Sequence, residues 1–147
     1  MFKNILVPTD GSALSRNAAK RAVALAKATG ATITGFHAAP SYKFELYADY
    51  VPPDLMLPAE YAAQAKKVAQ RHLDTVRKLA ESAGVKFSGQ YALSDYPADA
   101  IVRAAKKYRC DGIVMGSHGR SGMSRILLGS QTQKVLASAK VPVVVIH

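Results

Sequence analysis

The chain has 147 residues, 49% of them hydrophobic and 20% charged, which predicts one globular domain over 1–147 with a core large enough to fold without staples. Its longest uncharged run, Ala28 to Tyr42, is 15 residues long and is broken by Gly, Thr and Pro; that excludes a bilayer-spanning helix. A single cysteine, Cys110, excludes an internal disulfide and a multi-cysteine metal site. Net charge is +10, from 20 Lys and Arg against 10 Asp and Glu. The bases lie mostly on predicted helix faces and no basic tail occurs, so a solvated basic surface is expected. The opening MFKNILVP has no basic region followed by an apolar stretch, so a cytoplasmic protein without a secretory leader is expected.

Phe2 to Pro8 contains the short apolar run Ile5-Leu6-Val7, which predicts a buried strand. Residues 12–29 change to helical spacing, with Leu14, Ala18, Ala22, Leu25 and Thr29 on one stripe and Gly30 as a stop. ATITGFHAA (31–39) is rich in β-branched residues and reads as a second strand. Pro40, Pro52 and Pro53, with Tyr42, Tyr47 and Tyr50 among them, predict a surface excursion over 40–57. The longest helix begins at Pro58, its stripe formed by Tyr61, Ala65, Val68, His72, Val76, Leu79 and Ala83, and Gly84 ends it. A third strand over 85–92 alternates, with Val85, Phe87 and Tyr91 on one face, as an edge strand does. Ser94-Asp95-Tyr96-Pro97 opens a helix whose stripe is Ala98, Ile101, Ala105 and Tyr108. DGIVM (111–115) is a fourth strand, and Gly116 to Gly129 is a loop bearing Gly and Ser. Thr132, Val135, Leu136 and Ala139 form a last short helix before the closing VPVVVIH.

Strand–helix alternation with apolar strands predicts an α/β fold, a doubly wound parallel sheet of Rossmann or flavodoxin type with helices on both faces. Ligands of such sheets bind beyond the carboxyl ends of the strands, where strand order reverses. The loops after the first and fourth strands are therefore the ones that bear on function. In the second of these, glycines allow close backbone approach to an anion, Ser130 can cap the following helix, and Arg120 and Arg125 add cations. Those features point to phosphate. No GxxxxGK[ST] or early GxGxxG occurs, which disfavours a P-loop and a dinucleotide site. In the first loop, Pro8-Thr9-Asp10-Gly11-Ser12, Asp10 or Ser12 can cap the next helix; a carboxylate there can equally accept from ribose hydroxyls or hold Mg²⁺ beside phosphates.

The chain resembles the universal stress protein family, in the branch that binds ATP. Gly116, Gly119, Gly129 and Ser130 match that branch's glycine motif in spacing and type, ILVPTDGS (5–12) and DGIVMGSHGRSG (111–122) match its flanking segments, and VPVVVIH (141–147) its close. The resemblance implies a five-stranded sheet in the order 3-2-1-4-5 and an ATP site at the switch point between strands one and four. By it, Asp10, beside Pro8 and Thr9, holds ribose. Met115 and Gly116, Ser117, His118, Gly119 and Arg120 adjoin the nucleotide, as do Gly129, Ser130, Gln131 and Thr132; adenine lies against backbone near Ala38 and Ala39. Gln131 stands where the family more often has an apolar residue, and a backbone N–H serves at that position. The resemblance also implies a homodimer through Val141–Ile146.

His37 and His72 read as core or boundary residues and, with His147, have no ligand-like spacing, so no structural metal is expected. Cys110 reads as a packed thiol. No catalytic residue can be assigned. The expected function is an ATP-binding, nucleotide-dependent regulatory module of the stress response, with Mg²⁺ near Asp10 where it accompanies ATP. The alternatives are a slow ATPase or phosphoryl-transfer enzyme, and a basic partner-binding protein for nucleic acid or acidic proteins.

Overall fold

The computed structural model describes residues 1–43, 55–119 and 127–147. Among these residues five strands and four helices alternate: β1 (Asn4–Pro8), α1 (Ala13–Thr29), β2 (Thr32–Ala39), α2 (Pro58–Ser82), β3 (Phe87–Leu93), α3 (Pro97–Lys107), β4 (Gly112–Gly116), α4 (Ser130–Ser138) and β5 (Val143–Ile146). All four strand pairings are parallel and the order is β3-β2-β1-β4-β5. The expected doubly wound sheet is therefore present.

Alternation along the central strands sends side chains into two separate cores. Ile5 and Val7 of β1, Ile33 of β2 and Val114 of β4 pack with the alanine-rich face of α1 and with Val76 and Ala80 of α2. Leu6, Phe36, Ile113 and Met115 point the other way, onto Ala98, Ile101 and Ala105 of α3 and Val135 of α4. Small residues on α1 and α3 let these helices lie close to the sheet.

On α3 the expected Ala98, Ile101 and Ala105 are buried, whereas on α1 and α2 the buried face is rotated by about one residue from the spacing read in the sequence. On α2 the buried line is Ala65, Ala69, Leu73, Val76 and Ala80; Val68, His72 and Leu79 lie at its margin. Tyr91 and Leu136, expected inside, are 38% and 42% exposed. Tyr91 lies on β3, which among the described residues has a neighbour on one side only, and α4 is nine residues long with only Thr132 and Val135 buried. Of the 40–57 excursion, residues 44–54 lie outside the described residues.

The ends of the elements follow their sequence. Ser12 caps α1, its Oγ accepting from Ser15 N at 3.2 Å. Gly30 takes φ +72°, the left-handed conformation that a helix stop requires. At the amino-terminal edge of the sheet, Asp111 accepts from the backbone N–H groups of Lys3 (2.8 Å) and Asn4 (3.1 Å). It thereby ties the start of β1 to the start of β4.

Desolvation raises the Asp111 pKa, but the hydrogen bonds from Asn4 and Lys3 outweigh it, and the net direction is down. A carboxyl whose pKa is depressed on folding adds stability above its unfolded pKa, about 3.9 for Asp. That stability is lost as pH falls through the folded value. Asp111→Ala should therefore cost about 1 kcal/mol near neutral pH in urea denaturation, and the difference from the parent should vanish in strong acid. A difference that persists unchanged there would contradict the latch.

Candidate functional site

Strand order reverses between β1 and β4, and the loops that follow them part at the carboxyl end of the sheet. A cavity of about 370 Å³ opens there, within the size range of small-ligand sites. One part of its wall is apolar: Pro8, Phe36, Ala38, Pro97, Ile101 and Met115. The other carries Thr9, Asp10, Ser15, Gly116, His118 and Gly119, closed by Gly129, Ser130, Gln131 and Thr132 of α4 and the residue before it.

The β1–α1 turn is pinned from several sides. Thr9 N donates to Phe36 O at 2.8 Å, and Thr9 Oγ1 lies 3.3 Å from Ser15 Oγ. His37 Nδ1 is 2.8 Å from Thr9 O; because a carbonyl only accepts, Nδ1 carries the hydrogen. Asp10 Oδ1 accepts from Ser12 N at 2.9 Å, so the capping and carboxylate roles left open between Asp10 and Ser12 divide: Ser12 caps the helix and Asp10 lines the cavity.

Gly11 has φ +78°, and a Cβ there would lie 2.3 Å from the His72 ring. His72 thus packs directly under the turn, with its ring centroid 4.9 Å from that of His37. His37 is buried and His72 half-buried; the two are core and boundary residues that shape the loop, as the sequence implied.

On the far side, α4 starts one residue earlier than expected. Its N-cap is Gly129, with no side-chain capping bond, and Ser130 is already the first helical residue. The reason lies in the loop's own bonds. Gly129 N donates to Ser117 O at 2.7 Å, and Ser117 N to Ile146 O at 2.8 Å. Thr132 Oγ1, inside the first turn, donates to Gly116 O at 3.0 Å. These bonds hold the helix entry against the ends of β4 and β5, leaving the Ser130 hydroxyl unused as a cap.

Gly116, Gly119 and Gly129 of this loop are explained by close packing rather than by unusual dihedrals. A Cβ on Gly129 would come within 3.0 Å of His118 Cα and 3.3 Å of Ser117 O, and one on Gly116 within 3.0 Å of Leu14 Cγ. At Gly119 it would meet Asp10 Oδ2 at 2.8 Å. The missing side chain at Gly119 is what brings the Asp10 carboxylate and the second loop together across the cavity.

Most residues singled out by sequence and resemblance meet on this one wall: Pro8, Thr9, Asp10, Ala38, Met115, Gly116, His118, Gly119, Gly129, Ser130, Gln131 and Thr132. Ala39 and Ser117 do not line it. Ala39 is buried with its carbonyl taken by Ser94 N at 2.7 Å, and Ser117 is buried as the link between β5 and Gly129. Arg120, with Ser121, Gly122, Ser124 and Arg125, lies outside the described residues. Ser15, Phe36, Pro97 and Ile101 complete the wall and were missed by sequence reasoning. A signal for Pro97 is present, since it opens the helix after β3 and so sits at the same end of the sheet.

Cys110 is buried, as expected of a packed thiol, and receives a hydrogen bond from Asn4 Nδ2 at 3.4 Å. Its pKa is raised, chiefly by burial. Among the described residues no group of three His, Cys, Asp or Glu is placed to hold a metal ion, and no helix is long and apolar enough to cross a membrane.

The packing at Gly11 can be tested by a double substitution. Gly11→Ala should lower stability by more than about 1 kcal/mol in urea denaturation, because Ala is strained at positive φ, and His72→Ala should restore part of the loss by removing the clash. Equal losses in both backgrounds would contradict this packing.

Comparison with known proteins places this geometry. The model of the universal stress protein family matches residues 1–147. A universal stress protein of Methanocaldococcus jannaschii, MJ0531, is 38% identical over 151 residues, covering 99% of this chain and 82% of that one. The solved structure of protein MJ0577 superposes with a TM-score of 0.81 at 25% identity, over 99% of this chain and 96% of its own. A universal stress protein from Archaeoglobus fulgidus, solved in complex with dAMP, shares the fold with a TM-score of 0.73 at 19% identity, over 99% and 98% of the two chains. The chain belongs to the universal stress protein family.

Proposed function

We propose that the protein is an ATP-binding regulatory module of the stress response, acting in the cytoplasm, with its ligand seated between the carboxyl ends of β1 and β4. The observation that carries this reading is the cavity itself: its lining combines apolar side chains with glycines, a single carboxylate and a helix start without a side-chain cap. The dAMP complex of the Archaeoglobus fulgidus protein lends support, as an adenine nucleotide bound by a protein of this fold.

The two ends have different chemistry. Phe36, Ile101 and Met115 offer an aromatic base the apolar surface it would otherwise expose to water. At the other end, the first N–H groups of α4 and the helix dipole favour phosphate. Asp10 Oδ2 accepts from ribose hydroxyls. Where Mg²⁺ accompanies ATP, Asp10 supplies one protein oxygen and the phosphates and water supply the rest, as is usual for that ion. ATP turnover is expected well below the enzyme median of about 10 s⁻¹, because Asp10 is already bonded to Ser12 N and is poorly placed to serve as a base as well.

Titration calorimetry with ATP tests the site. Asp10→Ala should weaken binding by about tenfold, as loss of a charge-assisted hydrogen bond does. A folded Asp10→Ala protein that binds ATP as the parent does would overturn the assignment. Gly129→Val is a poorer probe, because its side chain would collide with His118 and Ser117 of the loop itself.

The same reading includes a homodimer through the last strand. Among the described residues β5 pairs with β4 alone, and Val144 on it is 37% exposed. Apolar edge strands are aggregation hazards unless covered, and two-fold pairing of the segment Val141–Ile146 would cover both copies. Light scattering should give twice the 15.7 kDa chain mass, falling towards the single-chain mass for Val144→Lys. A single-chain mass for the parent at micromolar concentration would exclude the dimer.

A further inference from the structure

The helix α3 begins without a cap of its own. Tyr96 at its N-cap makes no side-chain capping bond, and Pro97 at the first helical position has no N–H. The next N–H, that of Ala98, is satisfied from a different helix: it donates to Gln131 Oε1 at 3.1 Å. Gln131 lies in the first turn of α4 and lines the cavity, as do Pro97 and Ile101.

This bond settles the orientation of an amide. A backbone N–H can only donate, so the atom facing Ala98 must be the oxygen, and the amide cannot flip without losing the bond. The –NH₂ group is the end that Ala98 does not engage, and among the described residues no acceptor takes its hydrogens, while Gln131 as a residue lines the cavity. Held in this way, the amide has its oxygen engaged by Ala98 and its –NH₂ group available as a donor. Its bond to Ala98 also keeps it at the start of α3, with Pro97 and Ile101 on the apolar part of the wall where a base would lie.

We infer that Gln131 is a specificity-determining residue, whose Nε2 donates a hydrogen bond to a ring-nitrogen acceptor of the bound base. The inference rests on the proposed nucleotide site and deepens it: the main chain of α4 serves the phosphates, and the Gln131 side chain serves the base. A donor held in an apolar wall discriminates strongly, because a ligand that presents a C–H or a donor at that point leaves the amide unsatisfied.

Two variants separate this role from the capping role. Gln131→Glu keeps an oxygen for Ala98 N–H, favourably placed at a helix start, and replaces the –NH₂ by an acceptor. Gln131→Leu removes both functions. Calorimetry would use ATP and its 1-deaza, 3-deaza and 7-deaza analogues, each lacking one ring nitrogen, with thermal denaturation as a check on folding. For the parent, one analogue should bind about tenfold more weakly than ATP. With Gln131→Glu and Gln131→Leu, ATP itself should weaken by about that factor, and the penalty for the same analogue should disappear. If Gln131→Glu binds ATP as the parent does, the side chain acts only as the α3 cap and the inference is overturned. It is overturned equally if both variants weaken ATP and all three analogues alike, since the contact is then to ribose or phosphate. A parent that binds no adenine nucleotide at all would instead sink the proposed function, and the inference with it. Parent binding with unaltered variants sinks the inference alone.

Discussion

Strand β1 hydrogen-bonds to β2 on one side and β4 on the other, and this pairing governs the rest of the molecule. With β1 in the middle, the chain must leave it for one edge of the sheet and return for the other. The loops after β1 and β4 consequently diverge and leave a space between them. What keeps that space a defined cavity is a small set of backbone bonds: Thr9 N to Phe36 O, Gly129 N to Ser117 O and Ser117 N to Ile146 O. Together they tie both loops to the ends of strands. The described parts of the walls are therefore tied to the sheet by backbone bonds, although many of the residues that form them belong to turns.

Small residues perform the same service at the level of single side chains. Gly119 leaves room for the Asp10 carboxylate, Gly11 for the His72 ring and Gly129 for the turn at His118. In each case the glycine is needed because another group occupies the place of its side chain. Gly119 and Gly129 are set by the packing around them rather than by a need for freedom, and Gly11, at φ +78°, by both.

Much of this is legible in the sequence, and the exceptions have physical causes. The runs Ile5-Leu6-Val7 and Gly112–Gly116 are apolar throughout because both faces of a central strand are covered, and they mark the strands directly. The glycine spacing from Gly116 to Ser130, together with the family resemblance, points to the wall of the cavity. A serine before a helix usually caps it, which is the role Ser130 suggests; only the long-range bonds of Ser117 and Thr132 reveal that the cap falls on Gly129 instead. The alternation of β3 marks it as an edge strand and the last helix reads as short, as both are among the described residues. Periodicity still places Leu136 and Tyr91 inside, because it ranks faces by spacing and does not register how little of a short helix or an edge strand is covered. Gln131 is the clearest case. Its bond to Ala98 joins residues 33 positions apart, and no local pattern encodes a cap supplied from another helix.

A crystal structure of the protein grown with ATP tests most directly whether the cavity receives an adenine nucleotide, base on the apolar wall and phosphates at the start of α4. The predicted result is electron density for the base against Phe36, Ile101 and Met115, ribose within hydrogen-bond distance of Asp10, and phosphate oxygens at the N–H groups of Ser130 and Gln131. A fully resolved cavity that holds only water at saturating ATP, or a nucleotide bound elsewhere on the surface, would contradict it.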